Sequence, residues 1–318
     1  MTMLSFTIPC YGSEQTIKGV IDEIHSKMSE KKEYAYEIIT VNDCSPDNVI
    51  SVLKKIAETD RCLKVIELSK NVGKHSALMA AYSAVSGDII INIDDDGQCP
   101  LDRLWDLIAP LDSGYDISIA RYSRKKQSVF KNFGSYVNSL MAIHLISKPK
   151  NLYLSNFSAV RRYVIDEMCK YRNPYPYIDG LFIRTTSKIT NVDMEERERT
   201  AGVGNYTFRK SLSLFINGFT AFSVKPLRIA SVAGVISAFI GFIFVIYTVV
   251  NKIIHPDVPM GYSSLMAAML IIGGIIMVIL GLIGEYIGRI YICLNNSPQY
   301  VIREKINFDS EVNDDEKS

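Results

Sequence analysis

The chain has 318 residues, 48% of them hydrophobic and 22% charged. That is apolar for a soluble domain of this length and too charged for a bare membrane bundle, so two unlike parts share one chain. The 35 basic residues stand against 34 acidic ones, a net charge of +1, which excludes a globally basic nucleic-acid binder. Six cysteines show no CxxC pair and no histidine at ligand spacing. They read as reduced cytosolic thiols, with neither a disulfide framework nor a zinc site indicated.

No signal peptide precedes Met1, and the chain opens directly into a strand-like run. Short β-branched runs at 4–9, 36–42, 63–68, 88–94 and 115–120 predict strands. Helical patterns lie between them at 15–29, 48–59, 74–85 and 101–112. Alternation of this kind predicts an α/β domain, a mostly parallel sheet with helices on both faces. Ligands of such sheets bind at the carboxyl ends of the strands. The polar segments PCYGSE, NDCSPD, SKNVGK and DDDGQ each follow one of the first four strands. None of them is a Walker loop or a GxGxxG fingerprint, so ATP hydrolysis and NAD chemistry lack their usual support.

The sharpest signal is IIINIDDDGQ, where Asp94, Asp95 and Asp96 end an apolar strand. Adjacent anions repel unless a cation or a pairing partner is present. In an extended run Asp94 and Asp96 point one way and Asp95 the other. Two hard oxygen ligands on one side suit Mg²⁺ or Mn²⁺ bridging a diphosphate; the bland alternative is a solvated acidic turn. Asp43 also follows a strand. Its carboxylate suits a nucleobase imide N–H, and it equally suits a turn or a helix N-cap. Tyr11 reads either as a base-stacking ring or as core.

Farther along, 211–226 carries Leu212, Phe215, Phe219 and Phe222 at helical spacing, the pattern of an interface helix or of an ordinary core helix. Two uncharged runs follow, 22 residues at 229–250 and 25 at 260–284. Each exceeds the roughly 20 residues needed to cross about 30 Å of hydrocarbon, and their glycines allow close helix packing in lipid and self-association. The short linker makes them a hairpin. Lys225, Arg228, Arg289 and Arg303 flank it, against Lys252 alone in the linker. That bias predicts a multi-pass protein with both termini and the catalytic domain in the cytoplasm. The acidic stretch 309–318 is the one segment that reads as disordered.

Together these residues resemble the family 2 glycosyltransferases of GT-A fold, and within them the polyprenyl-phosphate glycosyltransferases. FTIPCYGSE (6–14) is similar to the family's V-P-x-Y-N-E opening through Pro9, Tyr11 and Glu14. VNDCSPD (41–47) is similar to V-D-D-G-S-x-D, with Asp43 in the base-reading place, and LSKNVGKHSAL (68–78) matches through Asn71, Gly73 and Lys74. NIDDDGQCP (92–100) carries D-x-D-x-Q as Asp94, Asp96 and Gln98. ARYSRKK (120–126) supplies Arg121, and ERERTAGVGNY (196–206) resembles R-x-x-G-x-S-x-Y through Arg199, Gly202 and Tyr206. The flanks KPLRIASVAG and GEYIGRIY look like those of the bactoprenol branch's membrane hairpin. Three positions depart: Gly204 for serine, Glu196 for the histidine of some members, and Asn156 where many relatives carry an acidic candidate base.

The resemblance implies a bacterial inner-membrane enzyme that moves one sugar, with inversion, from a nucleotide diphosphate sugar (uridine-linked by preference) to undecaprenyl phosphate. Pro9, Tyr11, Glu14, Asp43, Lys74, Asp94, Asp95 and Gln98 would bind the donor. Asp94 and Asp96 would hold Mg²⁺ or Mn²⁺, with Asp96 counted as catalytic beside Arg121 and Arg199. Arg121, Lys131 and Arg199 would surround the acceptor phosphate, where guanidinium matches phosphate oxygens in bidentate fashion. The expected organisation is a catalytic domain at 1–210, an interface helix at 211–228, the hairpin at 229–288 and a tail at 289–318. A processive polysaccharide synthase would need a late QxxRW tryptophan, and the sole tryptophan is Trp105. The remaining rivals are a transferase with a soluble or protein acceptor and a non-catalytic membrane scaffold.

Overall fold

Strand β1 (Met3–Cys10) is buried along nearly all its length and lies at the centre of the sheet. The computed structural model describes residues 1–122, 149, 151–195, 197, 225–254, 261–295 and 297–308. Two compact units divide the chain: 1–207 with 296–318, and 208–295.

In the first unit β1 is followed by α1 (Ile17–Ser29), β2 (Ala35–Asn42), α2 (Val49–Ala57), β3 (Leu63–Leu68), α3 (Lys74–Tyr82) and β4 (Ile89–Asn92). A 3-10 turn (Leu101–Arg103), α4 (Leu104–Asp112) and β5 (Ile117–Tyr122) complete the segment before residue 123. Then come β6 (Ser158–Arg161), α5 (Arg162–Cys169), α6 (Ile178–Thr185), β7 (Ile189–Met194) and, after the second unit, β8 (Ile302–Ile306). Among the described residues the sheet order is β7-β5-β6-β4-β1-β2-β3-β8. The ladders β1–β2, β1–β4, β2–β3 and β5–β7 are parallel; β6 runs antiparallel to β4 and β5, and β8 antiparallel to β3.

Strand alternation divides β1 between two layers. Leu4, Phe6, Ile8 and Cys10 join Ile17, Ile21 and Ile24 of α1, Leu53 of α2 and Leu104 and Leu107 of α4 in the main core. Ser5 and Thr7 fall between them, and their face carries polar networks instead. Thr7 Oγ1 and Tyr82 OH both donate to Asn92 Oδ1, at 2.7 and 2.9 Å, while Asn92 Nδ2 donates to Ser158 Oγ at 2.9 Å. This network ties β1, α3, β4 and β6 together directly below the acidic segment, and its saturation is what makes a buried amide tolerable. Pro9 has no amide to donate, and the β1–β4 ladder ends before it, at Thr7 opposite Asn92.

A second polar knot holds the opposite end of β1. Burial works against the charge of Glu37, but Lys64 Nζ at 2.7 Å, Ser5 Oγ at 2.5 Å and the Ser86 amide at 2.6 Å outweigh it and hold the carboxyl below its usual range. Glu37→Gln leaves half-buried Lys64 without its anion, and we expect it to destabilise the protein by about 2–3 kcal/mol. A depressed folded pKa contributes stability that is present above the unfolded value. It is lost as pH falls below about 4, so urea midpoints of wild type and Glu37→Gln should converge there and separate at neutral pH.

In the second unit α7 (Lys225–Ile254) and α8 (Tyr262–Leu294) have 30 and 33 residues. Within α8, Ile272–Leu294 is long and apolar enough to cross a membrane, with mean hydropathy 1.9 and none of it buried. α7 offers the shorter apolar stretch Gly234–Ile243. Among the described residues, then, one of the two expected spans meets the length criterion. Val235, Phe239, Met277 and Val278 are each more than 60% exposed.

Two expectations change in detail. β4 ends at Asn92, so the three aspartates lie beyond the strand and do not alternate as extended residues do. The supposed tail returns to the sheet as β8, pinned by Asn307 Nδ2, which donates to the carbonyls of Ala57, Asp60 and Leu63 at 2.8–3.0 Å. Most of the proposed interface helix (211–224) and the acidic stretch 309–318 lie outside the described residues.

Candidate functional site

The segments after β1, β2, β3 and β4 meet at one end of the sheet, as the strand directions require. The first two are knitted together by short polar side chains. Gly12 N–H donates to Ser45 Oγ at 2.7 Å, Ser45 Oγ to Asp47 Oδ1 at 2.5 Å, and Glu14 N–H to Asp47 Oδ2 at 2.9 Å. Glu14 returns the bond by accepting Asn48 N–H at 3.2 Å, at the start of α2, where an anion is favoured by the unpaired amides. The structure thus gives Glu14 a positioning task beside the donor-binding one expected of it.

Asp43 is buried, and its carboxylate accepts the amides of Val72 and Gly73 at 2.7 and 2.8 Å. Asn71 Nδ2 adds a bond to the Asp43 carbonyl at 3.1 Å. Burial pushes the Asp43 carboxyl upward more than the two amides hold it down. The residue therefore clamps the loop that enters α3, and Gly73, at φ +84°, supplies the left-handed turn. The N-cap of α2 is Asn48, so the helix-cap reading of Asp43 does not hold.

The acidic segment turns after β4, with Gly97 at φ +76°. Asp95 faces back toward β1 and accepts Tyr11 N–H at 2.9 Å, leaving the Tyr11 ring 55% exposed. Burial raises the Asp95 carboxyl, and the neighbouring Asp94 and Asp96 charges add to it. Asp94 lies on a different side: Lys74 Nζ pairs with Oδ1, and Asn156 Nδ2 donates to Oδ2 at 2.9 Å. Asp96 Oδ1 accepts Gln98 N–H at 3.1 Å. Asp94, Gln98, Cys99, Tyr122, Tyr153 and Asn156 help line a cleft of about 230 Å³.

Among the described residues no group of three or more His, Cys, Asp or Glu side chains could hold a metal. Oxygen-only donors with a cation already on Asp94 nevertheless fit a hard divalent ion whose shell is completed by ligand oxygens. Arg121 is placed otherwise than a free phosphate cation. It makes a bidentate pair with Asp193, its register partner on β7, at 2.5 and 2.7 Å. Lys131 and Arg199 lie outside the described residues.

Sequence reasoning missed two neighbours of this site. His75, beside Lys74, is pushed down to about 4 by burial, with the Lys74 charge adding to the effect. It is a neutral acceptor for Ile178 N–H at 3.4 Å, and no proton shuttle at neutral pH. Arg197, just past β7, exchanges hydrogen bonds with Gln98: Arg197 N–H donates to the Gln98 carbonyl at 3.3 Å, and Gln98 Nε2 to the Arg197 carbonyl at 3.4 Å. Its charged neighbours in the run EERER hide it among surface-like residues.

A glycosyl transferase family 2 model matches residues 5–169, and a GtrB C-terminal hairpin model matches 225–290. The chain is similar to the uncharacterized glycosyltransferase YkcC of Bacillus subtilis, 32% identical across 94% of this chain and 93% of that one. It is also similar to the undecaprenyl-phosphate 4-deoxy-4-formamido-L-arabinose transferase of Proteus mirabilis, 31% identical across 95% and 94% of the two chains. Among solved structures, glucosyl-3-phosphoglycerate synthase from Mycobacterium tuberculosis in complex with uridine diphosphate aligns at a TM-score of 0.46 and 20% identity, covering 66% and 75%. With a GT-A sheet, a family-wide match over its first half and a GtrB-type hairpin behind it, the chain belongs to glycosyltransferase family 2 and is a transferase.

Proposed function

We propose that this enzyme transfers one sugar from a nucleotide diphosphate sugar, uridine-linked by preference, to undecaprenyl phosphate at the bacterial inner membrane. The observation that carries the reading is the Asp94 carboxylate in the cleft, held by Lys74 and Asn156, in a chain that carries a GtrB-type hairpin at 225–290. The name of the Proteus mirabilis relative supports the acceptor.

Asp94 and Asp96 would hold Mg²⁺ or Mn²⁺, which supplies charge neutralisation to the departing diphosphate. Lys74 contributes a second positive charge on the same side. Asp43 and Asp95 work from behind, fixing the loop into α3 and the Tyr11 backbone. Asn156 cannot accept a proton, so no carboxylate base acts from that position. The acceptor phosphate oxygen is already an anion near neutral pH and attacks the anomeric carbon in line, inverting it. Arg121 and Arg199, with Lys131, would meet that phosphate; for Arg121 this means exchanging its exposed Asp193 partner, a pair whose loss in water is cheap.

The test is a panel of labelled nucleotide sugars offered with undecaprenyl phosphate in detergent and scored by lipid extraction. Label in the lipid phase for one donor, dependent on added Mn²⁺ or Mg²⁺, is expected. Transfer only to a soluble sugar or a protein would overturn the acceptor, and no turnover with any acceptor would favour a scaffold.

The hairpin is proposed to cross the membrane twice, with the catalytic domain, both termini and the 289–318 segment on the cytoplasmic side. The exposed apolar side chains of both helices suit lipid contact. In a background without the six native cysteines, an impermeant thiol reagent applied to intact cells should label Asp257→Cys and spare Ser318→Cys. The opposite pattern would reverse the orientation.

A further inference from the structure

After the second unit the chain returns to the catalytic domain at 296, beyond both segments that the family models match, 5–169 and 225–290. β8 runs antiparallel to β3, with Ile302 opposite Leu68 and Ile306 opposite Val65. Its first residues therefore lie at the carboxyl end of β3, where the 69–74 loop begins. Half-buried Gln299 commits its amide to one neighbouring loop, Nε2 donating to the carbonyls of Tyr171 and Asn173 at 2.8 and 2.7 Å. That loop leads into α6, whose first amide, Ile178 N–H, donates to His75 Nδ1 beside Lys74. The Val301 carbonyl accepts Ser69 N–H at 2.9 Å. Arg303 Nη1 donates to Glu67 Oε1 at 3.0 Å, and Nη2 to the Ser69 carbonyl at 3.5 Å. Both backbone groups of Ser69 thus serve the returning segment. From the other side Asp43 holds Asn71, Val72 and Gly73, and Lys74 follows, paired with Asp94. Bonds of this kind at the surface add little to global stability, but they restrict local opening. About 1 Å of displacement is costly where a cation has to meet phosphate oxygens.

We propose that the segment 299–303 is an outer brace of the donor site, holding the 69–74 loop against Asp43 and so placing Lys74 for a nucleoside diphosphate. Gln299 and Arg303 are positioning residues, acting through Ser69 and His75 without touching the donor. The inference rests on the proposed donor role of Lys74. Simple coverage of the sheet edge predicts something else. The far end of β8, pinned by Asn307 to the carbonyls of Ala57, Asp60 and Leu63, would then matter to the donor as much as the near end does.

The experiment uses the full-length enzyme in detergent. Calorimetry with uridine diphosphate and Mn²⁺ reads the donor side, and the KM for undecaprenyl phosphate, with the panel donor that turns over, reads the acceptor side. Gln299→Met keeps the length and removes both donated bonds; Arg303→Gln removes the charge and the fork. Each should weaken uridine diphosphate binding at least about fivefold while the lipid KM stays within about twofold and Tm within about 2 °C. Arg303→Lys should fall between, since it keeps the charge beside Glu67 and gives up the fork. Asn307→Gly preserves the left-handed backbone, φ +61°, and removes the far pin. It should lower Tm and leave uridine diphosphate affinity unchanged. Unchanged affinity in both Gln299→Met and Arg303→Gln, equal losses toward both substrates, or the same loss of affinity in Asn307→Gly would overturn the brace. Wild-type enzyme without affinity for uridine diphosphate would instead overturn the uridine-linked donor, and hydrogen exchange then decides the brace. Faster exchange of the Val72 and Gly73 amides in Gln299→Met supports it, and unchanged exchange overturns it.

Discussion

Asp96→Asn should lower sugar transfer at least about 100-fold, equivalent to roughly 3 kcal/mol of transition-state stabilisation, while the protein stays folded. The substitution keeps the oxygen that accepts Gln98 N–H, so the turn retains its bond and loses only charge. Asp95→Asn is the internal control. Asp95 faces the Tyr11 amide, so a side chain that keeps an acceptor oxygen for that amide is expected to leave turnover within about fivefold of wild type, a loss near 1 kcal/mol. The two neighbours thus separate a charge that serves chemistry from one that serves structure. Initial rates across a Mn²⁺ titration measure both. Should Asp96→Asn retain activity within about threefold, under roughly 1 kcal/mol, the metal assignment would fail.

The strands that a reader finds in the sequence are those whose apolar runs are long enough to show a period. β1, β2, β3 and β5 are of this kind, each with six to eight residues, and β4, four residues long, shows within the longer apolar run 88–94. β6 has four residues, SAVR, and joins directly to α5, so no window separates its pattern from the helix. β8 reads IREKI, with its three central residues exposed, as expected of a strand at the sheet edge. Its pairing with β3 joins positions more than 200 residues apart, and no local pattern reports that. The acidic turn was legible in kind and not in geometry. Three aspartates after an apolar strand identify a site, but the strand stops at Asn92 and Gly97 bends the chain, which sends Asp94 to Lys74 and Asp95 to Tyr11. Arg197 shows the limit most clearly. Its partners Glu23 and Asp102 lie 174 and 95 residues away, and each alone reads as an ordinary surface charge.

Arg199→Ala is expected to impair transfer to the lipid far more than binding of the nucleotide. The site needs positive charge for the acceptor phosphate, and the described cations near it are already engaged: Lys74 with Asp94, Arg121 with Asp193, Arg197 with Glu23 and Asp102. Arg199 follows two residues after Arg197, whose backbone is bonded to Gln98 of the aspartate motif, and the glycines at 202 and 204 allow a turn there. The phosphate of a polyprenyl chain has to remain at the interface, because its tail occupies the hydrocarbon layer, about 30 Å thick. A guanidinium carried on this segment can then hold two phosphate oxygens in parallel, and such charge-assisted pairs are roughly twice as strong as neutral hydrogen bonds. We expect Arg199→Ala to reduce kcat/KM for undecaprenyl phosphate about 100-fold, near 3 kcal/mol, with nucleotide affinity by calorimetry unchanged within about twofold, under 0.5 kcal/mol. Arg199→Lys should recover part of the loss, since it keeps the charge and gives up the fork. The competing role is an ion pair with Glu195 or Glu196, and Glu195→Gln with Glu196→Gln would then reproduce the Arg199→Ala defect. Full lipid transfer by Arg199→Ala would assign the arginine to that pair and remove it from the acceptor site.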